Sequence, residues 1–171
     1  MKKLFFITLF LVPIFGCQSD SNYGELHNWY DNEKTNIIEN VSQEPDSIQF
    51  SSTKKYLKVT YYKEGKKLIH EIRSQDTSLV FVRTRYSSDE NIELRNELYE
   101  NGQLRMEGLV YKEKYYGPWT VWQKDGKLNY TGYRFKDTDF GKWTFYNQYG
   151  QVEEIIDKGN SNLIGSILII K

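Results

Sequence analysis

The chain has 171 residues with 23 basic and 23 acidic side chains, so its formal net charge is zero. A balanced charge argues against nucleic acid as the main partner, because clustered basic residues are needed to hold a phosphate backbone. Aromatic residues make up 16% of the chain and prolines number three. This composition excludes a disordered class, and the length predicts a single domain.

Residues 1–16 have the pattern of a secretory signal peptide. A basic start is followed by an apolar run that is too short to span a bilayer stably. The sequence Ile-Phe-Gly-Cys at 14–17 resembles the bacterial lipobox. The resemblance implies cleavage after Gly16 and a diacylglycerol group on the sulfur of Cys17. The alternative is an ordinary secreted protein in which Cys17 stands at this point by chance.

Residues 17–22 are interpreted as a polar tether that joins the lipid to the folded domain. The acyl chains would make the membrane a partner, because each buried methylene contributes about 0.8 kcal/mol. Gln18 is not the Asp that retains lipoproteins in the inner membrane of enteric bacteria. The resemblance therefore favours the outer membrane of a Gram-negative cell, with the periplasmic and surface faces both open. Cys17 is the only cysteine, so no disulfide forms within the chain.

Residues 23–42 allow two interpretations. The same apolar and aromatic residues fit one face of a helix or a decayed hairpin that turns at Asp31-Asn32. We predict a short helix or irregular cap, followed by a connection around Pro45. The residues of the helical face are Leu26, Trp29, Tyr30, Ile37, Ile38 and Val41.

The next part of the chain alternates between apolar and polar residues with a period of two, which predicts strands. The predicted strands are residues 56–62, 66–73, 78–85 and 92–98. The turn at Gly65 imitates the turn at Gly102 with one extra residue. We therefore interpret residues 23–97 as a degenerate N-terminal repeat and cap region, since terminal repeats are expected to be atypical.

Residues 98–157 contain an internal repeat with a period of 24 residues. Shifted by one period, the segment matches itself without a gap, so that Trp119 falls on Trp143 and Thr120 on Thr144. A fixed period of about 20–50 residues marks a repeat architecture, in which neighbouring units bury one another's apolar faces. The glycines of the repeat are Gly102, Gly108, Gly117, Gly126, Gly132, Gly141 and Gly150.

Each unit has the pattern of a β-hairpin. Asn101-Gly102 and Asp125-Gly126 predict tight turns, because such dipeptides adopt the positive φ values that these turns demand. The run before each turn is aromatic and β-branched, which suits a strand. The run after each turn alternates with a period of two. The expected fold is therefore mainly β, an antiparallel stack of hairpins.

Four further glycines have predicted roles. Gly108 and Gly132 interrupt the strands at matched points, which indicates a bulge or the close approach of another backbone. Gly117 and Gly141 precede the tryptophans. We predict that they end the connecting loops.

The repeat resembles the bacterial variant of the MORN repeat. The first copy carries the motif at Tyr99, Asn101, Gly102, Leu104, Gly108, Gly117, Trp119 and Thr120. The second copy carries it at Asp125, Gly126, Leu128, Gly132, Gly141, Trp143 and Thr144. The resemblance implies an elongated stack of antiparallel β-hairpins, no catalytic activity, and the antitoxin-like label that relatives often bear.

Residues 158–171 are predicted to cap the stack. A polar turn precedes a strongly apolar run, which suits a final strand over the open end. The alternative is an edge that pairs with a partner, because exposed apolar edges invite strand pairing.

Catalytic and metal-binding patterns are missing from the sequence. The two histidines, His27 and His70, lie in unrelated segments, and a zinc site of the usual kind lacks free cysteines. There is no nucleophile-elbow or phosphate-cradling motif. We expect no cofactor, no metal and no enzymatic activity.

Six aromatic residues are the candidate binding residues, and we name them the predicted aromatic strip. They are Tyr116, Trp119 and Trp122 in one unit and Phe140, Trp143 and Tyr146 in the next. Trp119 and Trp122 fall on opposite faces of a strand, so both cannot be core in a single-layer sheet. Either one row is exposed and suited to a ligand, or both rows pack inside a sheet that curls on itself.

These patterns predict a non-catalytic lipoprotein of the cell envelope that binds or scaffolds a protein through its repeat surface. An antitoxin-like role would agree with the resemblance. The alternative is a glycan- or peptidoglycan-binding module that uses the predicted aromatic strip. The sequence favours no particular oligomeric state.

Overall fold

The computed structural model describes the backbone of residues 19–159 and the side chains of residues 26–159. It contains one helix, α1 (Ser19–Val41). The ten strands are β1 (Ser47–Ser52), β2 (Leu57–Lys63), β3 (Lys66–Arg73), β4 (Val80–Tyr86), β5 (Ile92–Leu98), β6 (Leu104–Tyr111), β7 (Lys114–Trp122), β8 (Leu128–Phe135), β9 (Thr138–Tyr146) and β10 (Val152–Asp157).

The strands form one sheet in which each strand pairs antiparallel with its neighbours in the chain, in the order β1 to β10. This architecture confirms the prediction of a mainly β hairpin stack. It also confirms the N-terminal helix, and the hairpin that would have turned at Asp31-Asn32 was the wrong alternative. Strand β1 was not predicted, because all six of its residues are exposed and it has no buried face to impose a pattern.

Two kinds of hairpin turn alternate along the repeats. At Gly102, Gly126 and Gly150 the glycine alone has positive φ, and a bulge follows in the adjoining strand pair. The opposite ends are two-residue turns in which both residues, such as Lys112 and Glu113, have positive φ. Hairpins favour such turns because their backbone twist matches that of the strands.

The prediction for Gly117 and Gly141 was wrong. They lie inside β7 and β9 rather than in loops, with φ values of 81° and 64°. The register of β6 and β7 shifts between Glu107 and Leu109, opposite the residues around Gly117. Each of these glycines therefore supplies the left-handed conformation that a bulge within a strand requires.

Some predictions concern residues outside the described part of the chain. The signal peptide and Cys17 lie there, as do residues 160–171 of the predicted cap. The cap begins within the described part, where Lys158 donates a backbone hydrogen bond to Gly141 and Gly141 donates one to Gly159. Residues 158–159 thus continue alongside β9.

Helix α1 packs across one face of the sheet, which we call the helix face. At its N-terminal end Leu26 joins a buried cluster with Tyr116, Phe135 and Phe140. Further along, Tyr30 and Ile37 belong to a second cluster, whose sheet residues are Ile92, Leu94 and Leu109. The spacing of these helical residues follows the 3.6-residue period, which brings them to one stripe. Ile38, predicted for the same stripe, is 49% exposed.

A carboxylate in the sheet binds the helix through hydrogen bonds. Glu107 accepts hydrogen bonds from the Tyr30 hydroxyl at 3.1 Å, the Lys34 ammonium at 2.5 Å and the Asn96 amide at 2.9 Å. Burial by itself would raise the pKa of Glu107, but the bonds from Lys34, Asn96 and Tyr30 outweigh it and hold the pKa below its usual value. Burial and the same carboxylate raise the pKa of Tyr30. The charged form of Glu107 therefore stabilises the docked helix.

Replacing Glu107 by Gln should lower the free energy of unfolding at neutral pH by about 1–3 kcal/mol, because three donors lose a charged acceptor. Since folding depresses the pKa of Glu107, its contribution is present above the ordinary value of 4.5 and is lost as the pH falls through the folded value. The difference in the free energy of unfolding between wild type and Glu107→Gln should thus be smaller in acid. Urea unfolding at pH 7 and pH 3 measures it.

Glu97→Gln is the control for this experiment. Glu97 pairs at 3.2 Å with Arg105 on the surface, where the two side chains are 34% and 57% exposed. Surface pairs contribute little to stability, so this variant should differ only slightly from wild type. A Glu107→Gln difference that is equally large at both pH values would contradict a stabilising role for the charge.

Candidate interaction surfaces

The structure divides the predicted aromatic strip among three environments. Tyr116 and Phe140 lie beneath α1, with 6% and 2% of their surface exposed. Trp29 of the helix meets the Tyr116 ring edge-on at a centroid distance of 6.4 Å. These two residues therefore belong to the packing between helix and sheet rather than to a ligand-binding surface.

Trp119 and Trp143 lie on the opposite face of the sheet, which we call the open face. They are 7% and 3% exposed and cluster with Met106 and Val121. Both indole nitrogens lack a hydrogen-bond acceptor among the described residues, so packing holds the rings in place. Because almost no ring surface is exposed, these indoles form the packed core of the open face.

Matched glycines make room for the two indoles. A Cβ atom on Gly108 would lie 2.8 Å from Cε3 of Trp119, and one on Gly132 would overlap the ring of Trp143. The sequence analysis predicted the close approach of another backbone, but the group that approaches each glycine is an indole side chain from the next strand. Each repeat thus stacks its tryptophan on the glycine of the preceding strand.

Trp122 and Tyr146 are half-buried and belong to none of the three buried clusters. Tyr146 lines a depression of about 580 Å³ at the glycine-turn end of the repeats, which we call the turn pocket. Tyr99 and Tyr149 line it as well, together with the amide side chains of Gln123, Asn129, Asn147 and Gln148. The Tyr99 hydroxyl donates a 2.8 Å hydrogen bond to the backbone carbonyl of Trp122.

A group of aromatic and arginine side chains on the open face was missed by the sequence analysis. We call it the open-face patch, and it consists of Tyr115, Tyr130, Phe145, Arg95 and Arg134. All five are half-buried. Tyr115, Tyr130 and Phe145 pack against the two indoles, Arg95 contacts Tyr115, and none of the described elements packs over the patch.

The members of the open-face patch contact one another and the indoles. The Arg134 guanidinium lies 3.9 Å from the centroid of the Trp119 ring, while Tyr115 meets the same ring at 4.5 Å and an angle of 81°. Arg134 also pairs with Asp139 at 3.1 Å. The ring centroids of Tyr130 and Phe145 lie 5.6 Å apart. These contacts restrict the side chains before any ligand arrives.

The comparison of repeat copies could not find this patch. Period matching selects residues that two copies share, whereas Tyr115 and Arg134 correspond to Asp139 and Val110 when shifted by 24 residues. The available signal was strand alternation, since Tyr130, Gly132 and Arg134 share one face of β8. That signal could be used only once the bulges in β7 and β9 were known, because a bulge changes which residues of neighbouring strands share a face.

A second ionic cluster lies on the helix face of β3 and β4. Glu71 is 3% exposed and binds Arg83 at 2.6 Å and Arg73 at 2.5 Å. Burial would raise the pKa of Glu71, but the hydrogen bonds from Arg83 and Arg73 outweigh it and hold the pKa below its usual value. This carboxylate is saturated by its own arginines and is unsuited to proton transfer.

Within the described residues, no three His, Cys, Asp or Glu side chains gather in a way that would hold a metal ion. His27 is exposed near Tyr133, and His70 contacts Thr60 on another strand. The helix of residues 19–41 is not apolar enough to cross a bilayer, and the described part contains no other helix.

No protein-family model matches the chain, and no curated protein matches it. The crystal structure of TarM aligns with 80% of this chain and 25% of its own, at 10% identity and a TM-score of 0.34. That of accessory secretory protein 1,2 and 3 in Streptococcus pneumoniae aligns with 65% of this chain and 19% of its own, at 18% identity and a TM-score of 0.25. The chain spans a quarter or less of either structure. The resemblance to the MORN repeat stays a prediction.

Replacing Gly132 by Ala should lower the free energy of unfolding, because the added methyl group would overlap the indole of Trp143. Overpacking of this kind costs about 1–3 kcal/mol. In a Trp143→Leu background the ring is gone, so the same alanine should cost much less. Chemical denaturation of the four proteins in this double-mutant cycle measures the coupling.

Asn129→Ala, at an exposed position of the same strand, is the control and should change stability little. An equal cost for Gly132→Ala with and without the Trp143 ring would show that backbone conformation, rather than stacking, requires the glycine.

Proposed function

We propose that the protein is a non-catalytic lipoprotein of the cell envelope that binds a protein partner on the open face of its sheet. The membrane attachment rests on residues 1–17, whose basic start, apolar run and lipobox-like end agree with acylation of Cys17. Helix α1 begins at Ser19, so residues 19–22 of the predicted tether are helical. The binding role rests on the open-face patch.

The observation that supports this proposal most strongly is the chemistry of the patch. Tyrosine and arginine are enriched among the residues that dominate protein interfaces. Here they flank two buried indoles on a face that no described element covers. Their mutual contacts reduce the conformational entropy that binding would otherwise cost.

Hydrogen bonds between neighbouring turns also hold the sheet in one shape, which suits a binding surface. Hydrogen bonds link successive turns, as from Asn101 to the carbonyl of Lys124 at 3.0 Å and from Gln123 to the carbonyl of Asn147 at 2.9 Å. Together with the stacked indoles, these bonds hold the strands of the patch in fixed relative positions. A toxin is one possible class of partner, in agreement with the antitoxin-like label of the proteins that the repeat resembles.

A second candidate function is glycan binding in the turn pocket. Its three tyrosines and four amide side chains offer rings that stack on sugars and groups that both donate and accept hydrogen bonds. The pocket includes Tyr146 of the predicted aromatic strip. This function differs from the first in its site, so variants can separate the two.

The test is a crosslinking pull-down of the full-length protein from its native envelope, with bound proteins and glycans identified by mass spectrometry. Tyr115→Ala/Tyr130→Ala should lose one dominant protein partner, since hot-spot residues contribute about 2 kcal/mol or more each. Tyr99→Ala/Tyr146→Ala, in the turn pocket, is the matched control and should retain it. Thermal melting checks that both variants are folded.

Two outcomes would overturn the first proposal. A protein partner that both variants retain would place the interface elsewhere. Recovery of glycan without a protein partner, lost only in Tyr99→Ala/Tyr146→Ala, would establish the turn pocket as the binding site instead.

Replacing Cys17 by Ser should release the protein from the membrane fraction, because the acceptor sulfur for the lipid is removed. Fractionation of cells that express each form, with intact mass measurement of the processed protein, tests this. Wild-type protein should carry the mass of added acyl chains. An unmodified wild-type protein in the soluble fraction would leave ordinary secretion as the correct interpretation.

A further inference from the structure

A cleft between α1 and the sheet is separate from both surfaces discussed above. It has a volume of about 430 Å³ and lies beside the C-terminal half of α1, over strands β4, β5 and β6. Small-molecule pockets in proteins span about 300–1,000 Å³. The cleft is therefore large enough for a small organic ligand.

The lining of the cleft carries an excess of positive charge. Lys34, Arg83 and Arg85 line it, and Arg73 lies behind Arg83 on the shared carboxylate of Glu71. Glu71 and Glu107 are the carboxylates of this region. Four cationic side chains thus face two carboxylates.

Both carboxylates are already bound by other groups. Glu71 is held by Arg73 and Arg83. Glu107 is held by Lys34 and by two uncharged donors. Neither has an ion pair with Arg85.

Arg85 is half-buried, and its hydrogen bond goes to a neutral acceptor, Oδ1 of Asn96, at 2.5 Å. Within residues 26–159 no carboxylate pairs with it. Burial and the charge of neighbouring Arg83 lower the pKa of Arg85, and the opposing influence of Glu107 and Glu71 does not offset them. A half-buried cation without a counter-ion is costly, and an anionic ligand in the cleft would relieve that cost.

Five apolar side chains also line the cleft. Ile38 and Val41 belong to the helix and Leu94, Leu98 and Leu104 to the sheet, where Leu94 pairs across the strands with Arg85. A small inorganic anion would leave these apolar side chains unused. The lining of the cleft therefore combines cationic and apolar side chains, which is complementary to an amphiphile with an anionic head.

We propose that the cleft binds a small organic carboxylate with an aliphatic tail, its carboxylate on Arg85 and its tail against Ile38 and Val41. A guanidinium suits this head group because its N–H donors match the two oxygens of a carboxylate. Asn96 orients the arginine, since its carbonyl oxygen accepts from Arg85 while its amide donates to Glu107.

The test is a titration of the full-length protein with octanoate by isothermal calorimetry, against a matched detergent blank. Octan-1-ol lacks the charge and acetate lacks the tail, so both should bind at least about tenfold more weakly than octanoate. Arg85→Met should weaken octanoate binding to a similar extent. Arg85→Lys, which keeps the charge, should retain part of the affinity.

Arg105→Met is the matched control, because Arg105 is 57% exposed and pairs with Glu97 away from the cleft. It should bind octanoate like the wild type. Ile38→Asp is a second variant that does not disturb the buried core, since Ile38 is 49% exposed. It places a carboxylate at the cleft and should also reduce the affinity for octanoate.

Three results would overturn the proposal. Octanol could bind as tightly as octanoate, which would remove the role of the arginine. Arg85→Met could bind octanoate like the wild type. The wild-type protein could take up no octanoate at all, as expected if another part of the chain or a second copy fills the cleft.

Discussion

The stacking of an indole ring on a strand glycine is the interaction on which this single-layer sheet depends. A sheet has two faces, and one helix covers only one of them. On the other face Trp119 and Trp143 lie flat over Gly108 and Gly132, so the sheet buries apolar surface without a second layer. The bulges at Gly117 and Gly141 make this possible because they shift the backbone before each tryptophan. The strand glycines of each motif therefore serve its tryptophan, whereas Gly102, Gly126 and Gly150 form the turns.

The helix face is organised by burial and by charge together. Leu26 and Ile37 are fully buried against the sheet, which anchors both halves of α1. Glu107 also fixes the position of the helix along the sheet, because it binds Tyr30 and Lys34 one turn apart on the helix. A buried carboxylate without these donors would be strongly unfavourable. The helix and the sheet thus require one another, and the cleft beside Arg85 opens where their apolar contact ends.

Most of the sheet was predictable from local patterns. Strands β2 to β9 were assigned because alternation and turn glycines act over a few residues, and the period of 24 indicated a hairpin stack. Strand β1 was missed since it is exposed on both faces. Of the candidate binding residues, four of the six aromatic side chains proved to be buried. Repetition marks residues that every unit needs, and units need their packing residues first, so the repeat selected the core rather than the surface.

The amino-acid sequence by itself determined the class of fold, the hairpin repeat and the tight turns, because these depend on the short-range preferences of glycine, β-branched and aromatic residues. Only the tertiary structure decided which face each aromatic residue occupies, since a bulge at Gly117 changes the match between neighbouring strands. It also brought Arg85, Asn96 and Glu107 together beneath the helix. These three residues lie on separate strands, and strand pairing and helix docking, rather than any local pattern, set the distances between their side chains.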